Sequence, residues 1–390
     1  MLHALLSHPR LHHVLRITAR VIVLGMLTSL IASAPPFILM GARIEVDTAH
    51  PQLCVHTRLM DEVEEWKIQR TLQLVREMGA PTIVEFFPWA YLQPQPTAFD
   101  WSAADRIVRH AHNQGLRIIA RLGLVPQWAR PNPPDRQTTL NELPAAAYPA
   151  FAAFVSAFAE RYHDDIAQLI IWNEPNLSFE WGYQPVNPQE YVRMLGIVYQ
   201  AVKASTPDTQ VLAAPLAPTL EARGSPAGLD DLLYLEDMYR AGLAEVSDGI
   251  AIHTYGFTRP PDDEPAPDRL NFRRAELHHA IMARYGDAEA PVYITEMGWN
   301  DHPRWAQAVA PSQRIAYTLD AFEIASRDWS WARTLCIWVI RFPAPVGSYP
   351  DDFTLVTPDF QIKPIYTALQ AYARGWESGE PLWLPPPSAD

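Results

Sequence analysis

A single eight-fold (β/α)8 TIM barrel is the fold class this sequence predicts, and three observations predict it. Short runs rich in Val and Ile alternate with amphipathic helical stretches eight times between residues 42 and 380. The long Pro-rich pieces 124–144, 215–229, 256–268 and 341–362 each follow an apolar run, where loops on the C-terminal face of a barrel belong. The turn after the first run, 57–61 (TRLMD), has no glycine, which counts against the competing doubly wound sheet with its Gly-rich phosphate turn.

The elements follow in order. The first strand is expected near 54–59, with a helix over 61–78 that Gly79 stops. The second strand is 82–87, and its helix, 103–114, ends at Gly115. Strand three is 117–122, followed by the Ala-rich helix 145–162. Strand four, 167–172, precedes a helix over 188–205, and strand five, 210–214, precedes 230–242. The last three pairs are 249–253 with 269–284, 292–296 with 312–326, and 334–340 with 364–374. No internal repeat or linker interrupts the series, and 381–390 (PLWLPPPSAD) reads as a Pro-rich tail.

Composition narrows the partners. Apolar residues make up 48% of the 390, enough for a large core. The net charge of -13 leaves no basic excess for phosphates, so no nucleic-acid partner is expected. The 13 Trp and 15 Tyr exceed what packing needs, and aromatic rings are platforms for sugar faces. Two cysteines exclude a disulfide framework and a Cys-based zinc site. Cys54 and Cys336 fall on the first and last strands, which adjoin when a barrel closes; a disulfide is conceivable, and two buried thiols are the expectation.

Residues 1–41 read as an export segment. Arg10, Arg16 and Arg20 precede 21–41, which carries no charge, and Ala32-Ser33-Ala34 resembles a signal-peptidase site with Pro35 just after it. The uncharged stretch is long enough to span a bilayer, so either an uncleaved anchor or a cleaved signal peptide is expected. Both put the barrel outside the cytoplasm, membrane-anchored or secreted.

Two segments carry chemistry. Glu174 ends strand four in Trp172-Asn173-Glu174-Pro175, and Glu296 ends strand seven in Ile294-Thr295-Glu296-Met297-Gly298-Trp299. With strands about 4.8 Å apart on a tilted ring, three strand steps leave about 5 Å between the two carboxyl groups. One carboxyl then protonates a glycosidic oxygen while the other meets the charge growing on the sugar. Side chains alternate along a strand, so Trp172 is expected to share a face with Glu174, and Val292 and Ile294 with Glu296. His253 and Tyr255 on strand six are placed to hydrogen-bond Glu296, Trp338 to floor the site, and Asn173 to hold a sugar hydroxyl. Trp89, Trp128 and Trp299, in or near the same loops, are expected to line the groove.

These residues resemble clan A of the glycoside hydrolases, the retaining barrel glycosidases. The likeness rests on Trp172-Asn173-Glu174-Pro175-Asn176, His253-Thr254-Tyr255, Thr295-Glu296-Met297-Gly298-Trp299 and Trp338. The segment 89–128 is similar to the second and third units of families 39, 5 and 42. The resemblance spans about 45–375. It implies Glu174 as acid/base, Glu296 as nucleophile and Asn173 as the contact to the sugar 2-hydroxyl, acting on a glycoside, oligosaccharide or polysaccharide without a cofactor. Two positions depart from the pattern. Many members place an Arg at the end of strand two to fix the nucleophile; here Glu85 is the nearest polar residue, and Arg58 or Arg121 is left to supply the charge. Gln93 stands where Glu is usual.

Two rival readings have their own signatures. A barrel metallohydrolase wants His-x-His on the first strand, and Val55-His56-Thr57 offers one histidine, so no metal is expected. A non-catalytic carbohydrate-binding or cell-surface protein on a decayed barrel would lack one carboxylate or its neighbours, and both sets are present.

Overall fold

The computed structural model describes residues 43–131, 136–343 and 352–376, together with Thr18 and Arg20. The expected anchor within 1–41 and the tail at 381–390 lie outside the described residues, those two positions aside. Among the described residues no helix is long and apolar enough to cross a membrane. The chain divides after Ala42, and the fold below is that of the second unit.

Eight parallel strands close into a barrel in chain order. They are β1 (Leu53–His56), β2 (Thr82–Pro88), β3 (Arg117–Gly123), β4 (Gln168–Ile171), β5 (Gln210–Ala213), β6 (Gly249–Tyr255), β7 (Val292–Gly298) and β8 (Ala332–Ile337). Each is followed by a helix: α1 (Glu65–Met78), α2 (Ser102–Asn113), α3 (Tyr148–Tyr162), α4 (Pro188–Ser205), α5 (Asp231–Arg240), α6 (Arg274–Arg284), α7 (Pro311–Asp328) and α8 (Pro364–Arg374). The strands bury both faces, which is why their sequences are continuous apolar runs. One residue from each strand (Cys54, Val84, Ile119, Ile170, Leu212, Ala251, Tyr293 and Cys336) meets in a cluster inside the barrel. Their neighbours, such as Val55, Ile83 and Leu169, join the larger core between strands and helices.

Helix ends follow local chemistry. Gly79 takes a left-handed φ of 93° and returns its N–H to Val75 and Arg76, ending α1. Asn187 caps α4 through the Glu190 N–H at 3.0 Å, and Asp230 caps α5 through Leu232 and Leu233. Pro188, Pro311 and Pro364 open α4, α7 and α8, where a missing N–H costs nothing. Four helices are shorter than the periodicity predicts, α1 and α3 because they begin at Glu65 and Tyr148 instead of 61 and 145. The one expected over 269–284 begins at Arg274, whose buried guanidinium holds the preceding loop through the carbonyls of Pro267 and Arg269. The one expected over 230–242 ends at Arg240, ahead of Gly242 at φ 92°. A single helical turn, Trp89–Leu92, follows β2 and has no counterpart in the sequence reading.

The closing seam corrects the expectation of two thiols. Cys54 and Cys336 are direct partners in the β1–β8 ladder and are joined by a disulfide. Both side chains point into the barrel from adjacent strands, so their sulfurs face each other.

Candidate active site

Glu174 sits where β4 gives up regular structure. Trp172 and Glu174 adopt left-handed φ values of 85° and 42°, at a cost of roughly 1–2 kcal/mol each. The turn sends the Trp172 ring outward, edge-on to Phe151 of α3 and to Trp181. Trp172 and Glu174 therefore do not share a face, contrary to strict alternation. The Glu174 N–H donates to the Pro215 carbonyl at 3.0 Å, tying the turn to the loop after β5.

Glu296 reaches the same place by a bulge. Ile252 pairs with Ile294, but His253 pairs with Glu296, so Thr295 is an extra residue on β7. Before it, Tyr293 lies inside the barrel while Val292 and Ile294 lie outside. A regular strand would keep Glu296 on the outer face with Ile294; the bulge re-aims it inward. The shared face expected for Val292, Ile294 and Glu296 is thereby corrected.

The result is one constellation. An oxygen of Glu174, a nitrogen of His253 and an oxygen of Glu296 all lie within 4.8 Å of one another. Of the two strand-six rings expected to bond Glu296, only Tyr255 does, donating its hydroxyl to Oε2 at 2.7 Å; His253 instead sets Nδ1 2.8 Å from Glu174 Oε1, with Nε2 3.6 Å from Glu296 Oε1. Arg121 Nη1 donates to Glu296 Oε1 at 3.0 Å and to Asn173 Oδ1 at 2.6 Å. Its guanidinium rests 4.9 Å from the centre of the Phe86 ring. The charge that many clan members take from the end of strand two thus comes from β3, with Phe86 of β2 as its support. Arg58 instead pairs with Asp61, and Glu85 accepts from the Thr57 hydroxyl and the Leu59 and Met60 N–H groups. His56, unremarked as a site residue in the sequence, stands with Nε2 3.6 Å from Glu296 Oε1.

Electrostatics follow from these contacts. Burial pushes the Glu296 carboxyl up, but His253, His56, Arg121 and the Tyr255 hydroxyl outweigh it and bring its pKa down to about 2. Burial, helped by Arg121, lowers His56 to about 3. His56 is therefore uncharged near neutrality, while Arg121 gives Glu296 a permanent charge partner. A divalent cation fits this trio poorly: Glu296 Oε1 already accepts from a guanidinium, and a cation would sit beside that charge.

The carboxylates open into a cleft of about 230 Å³ lined by Tyr255, Phe257, Trp299, Trp305, Trp338 and Phe353 as well as by Glu174 and Glu296. Trp338 is partly exposed there and stands edge-on to Phe353 at 5.3 Å. Trp299 contributes to the lining, yet its ring is 1% exposed and its indole N–H donates to the Arg259 carbonyl. Gly256 makes room for it; a Cβ there would fall 1.9 Å from the ring. Trp89 is a correction. It is fully buried, bonded to Gln93 and packed on Phe151 and Phe154, so no sugar can touch it. Trp128 packs edge-on to Trp89, donates to the Gln93 carbonyl, and stands apart from the cleft lining. Phe257 and Phe353 gave no sequence signal, because a loop aromatic reads the same whether it lines a cleft or plugs one.

A family model described as β-galactosidase, glycoside hydrolase family 42, matches residues 59–142, a stretch that includes Arg121 but neither Glu174 nor Glu296. No curated protein matches the chain. Among solved structures, a family 39 glycoside hydrolase from the gut symbiont Bacteroides cellulosilyticus is 19% identical with a TM-score of 0.65; the match covers 87% of this chain and 66% of that one. A family 5 subfamily 18 glycoside hydrolase from Bifidobacterium longum subsp. longum is 15% identical with a TM-score of 0.61, covering 84% of this chain and 80% of that one. A β-galactosidase from the psychrophilic Marinomonas ef1 is 14% identical with a TM-score of 0.56, covering 82% of this chain and 58% of that one. The chain thus spans just under two thirds of the family 39 structure and has the fold of clan A glycoside hydrolases, as its motifs imply.

Proposed function

We propose that this protein is a retaining glycoside hydrolase that cleaves O-glycosidic bonds by double displacement. The observation that carries the reading is the approach of Glu174 and Glu296 oxygens to within 4.8 Å. Retaining enzymes hold their carboxyl groups about 5–5.5 Å apart, while inverting enzymes leave about 6.5–9.5 Å for a water. Glu296, ionised and gripped by Arg121 and Tyr255, attacks the anomeric carbon. Glu174 gives its proton to the leaving oxygen, then takes one from the water that releases the sugar. His253 orients Glu174, and Asn173, Tyr255 and Trp338 are the proposed sugar contacts.

Incubation with activated 2-deoxy-2-fluoro β-glycosides, followed by peptide mass mapping, tests the nucleophile. The adduct is expected on the peptide bearing Glu296. An enzyme that turns over β-glycosides yet carries no adduct, or carries it elsewhere, would overturn the assignment. The family 42 likeness makes β-galactosides the first substrates to try.

The site of action is proposed to be outside the cytoplasm, anchored or secreted through 1–41. The Cys54–Cys336 disulfide supports this, since such bonds persist in oxidising compartments. Cell fractionation with the mature N-terminus read directly is expected to find the barrel in the membrane or extracellular fraction; recovery from the cytosol alone would contradict it.

A further inference from the structure

A third carboxylate stands beside the pair, and the double-displacement chemistry does not use it. Glu180 lies in the turn that follows the Glu174 segment. That turn is fixed to the barrel: the Trp172 indole N–H donates to the Glu180 carbonyl at 2.9 Å, and Trp181 stands edge-on to Trp172. Gly182, at φ 73°, lies so close to Glu142 that a Cβ would fall 2.5 Å from the Glu142 Cβ, so the turn tolerates little else there. The Glu180 side chain is then spent on two amides. Oε1 accepts from Asn173 Nδ2 at 3.2 Å and Oε2 from Asn141 Nδ2 at 2.6 Å. Asn173 in turn accepts from Arg121, which also holds Glu296. One unbroken chain of hydrogen bonds runs Asn141–Glu180–Asn173–Arg121–Glu296.

The chemistry of the chain fixes the Asn173 amide. Its oxygen must face the guanidinium, because a guanidinium only donates. Its nitrogen must face an acceptor, and Glu180 supplies one. That leaves the second N–H of Asn173 without a partner among the described residues, available to a sugar hydroxyl. We propose that Glu180 is a positioning residue: together with Arg121 it locks the Asn173 amide so that this N–H is offered to the hydroxyl next to the anomeric carbon. Glu180 thereby sets how much that hydroxyl contributes to the transition state. The substrate half of the statement rests on the glycosidase reading above; the locking of Asn173 does not.

A carboxylate suits the position better than its amide. Two N–H donors converge on two oxygens, so a Gln would turn an NH2 toward one of them. Burial and the nearby charge of Glu174 push Glu180 up to about 7, against the pull of Arg121 and Asn173.

The test has two arms. In the first, 4-nitrophenyl β-galactoside, β-glucoside, β-xyloside and β-mannoside are assayed, and the fastest is compared with its 2-deoxy counterpart in wild type, Glu180→Gln and Glu180→Ala. The wild-type preference in kcat/KM for the 2-hydroxy substrate is expected to shrink about tenfold in both variants, the worth of one hydrogen bond. A merely structural role would slow both substrates alike, and an unchanged ratio overturns the proposal. In the second arm, crystal structures of the unliganded variants are expected to show the Asn173 amide turned away from Arg121; an amide unmoved in Glu180→Ala overturns the locking. If wild type cleaves none of the four glycosides, the hydrolase reading fails, and the second arm alone decides the role of Glu180.

Discussion

Single residues divide the labour of this site by charge and donor count. Glu296 is held as an anion by one guanidinium and one phenol. Replacing Arg121 with Met removes the fixed charge, and the Glu296 pKa rises. The acid limb of kcat/KM should then move up by about one to two pH units, read from a pH–rate profile. An unmoved limb would mean that Arg121 does not hold Glu296 ionised. Glu174→Ala should cost about 10²–10⁴ in kcat on substrates with poor leaving groups and much less on 2,4-dinitrophenyl glycosides, which depart without a proton. Equal losses on both would remove Glu174 from the acid role. The sequence exposed these two carboxylates because each ends an apolar run within a motif. It named Arg121 only as one of two possible sources of charge, since which of several arginines reaches across a barrel depends on strand register. It offered nothing for His56 and misplaced Trp89, because a Trp in a loop and a Trp under a loop have the same local sequence.

Elements position those residues through departures from regularity. The Thr295 bulge and the two left-handed residues of the β4 end both override the period-two alternation that strand parity assumes. Parity read from the sequence therefore reached the right destination for Glu296 from a wrong premise. The loop after β1 is a further case. Glu85 on β2 accepts from Thr57, Leu59 and Met60, yet burial outweighs those bonds and lifts its pKa from 4.5 to about 7. A carboxyl raised in the folded state binds its proton more tightly there than in the unfolded chain. Its contribution is thus fully present below about pH 4.5 and is lost as pH rises through about 7, on the order of a few kcal/mol. Glu85→Gln should flatten that part of the stability–pH curve in urea titrations; an unchanged slope would show that Glu85 titrates normally. Leu at the same position should cost about 2–3 kcal/mol by leaving the Leu59 and Met60 N–H groups unsatisfied.

At the largest scale, the second unit is a barrel closed at a covalent seam. The alternation of apolar runs and helical stretches made the barrel legible from the chain alone, since strands buried on both faces and helices buried on one leave different periods. The disulfide was less legible: two cysteines far apart in sequence carry no pairing information until the first and last strands are in register. Bridging residues 282 apart restrains the unfolded chain, and its loss should cost about 2–4 kcal/mol. Thermal unfolding of wild type and of the Cys54→Ser, Cys336→Ser double variant, with and without reductant, should show a lower Tm for the variant that reductant does not change. A wild type equally indifferent to reductant, with no mass difference on alkylation, would mean free thiols. The same closed ring sets β4 and β7 across from each other and so brings their terminal carboxylates together. The most direct check on that convergence is the anomeric configuration of the first sugar released from a β-glycoside, followed by ¹H NMR before mutarotation. A β-anomer appearing first is the predicted result; an α-anomer appearing first would mean a single displacement by water and would contradict the assignment of Glu296 as nucleophile.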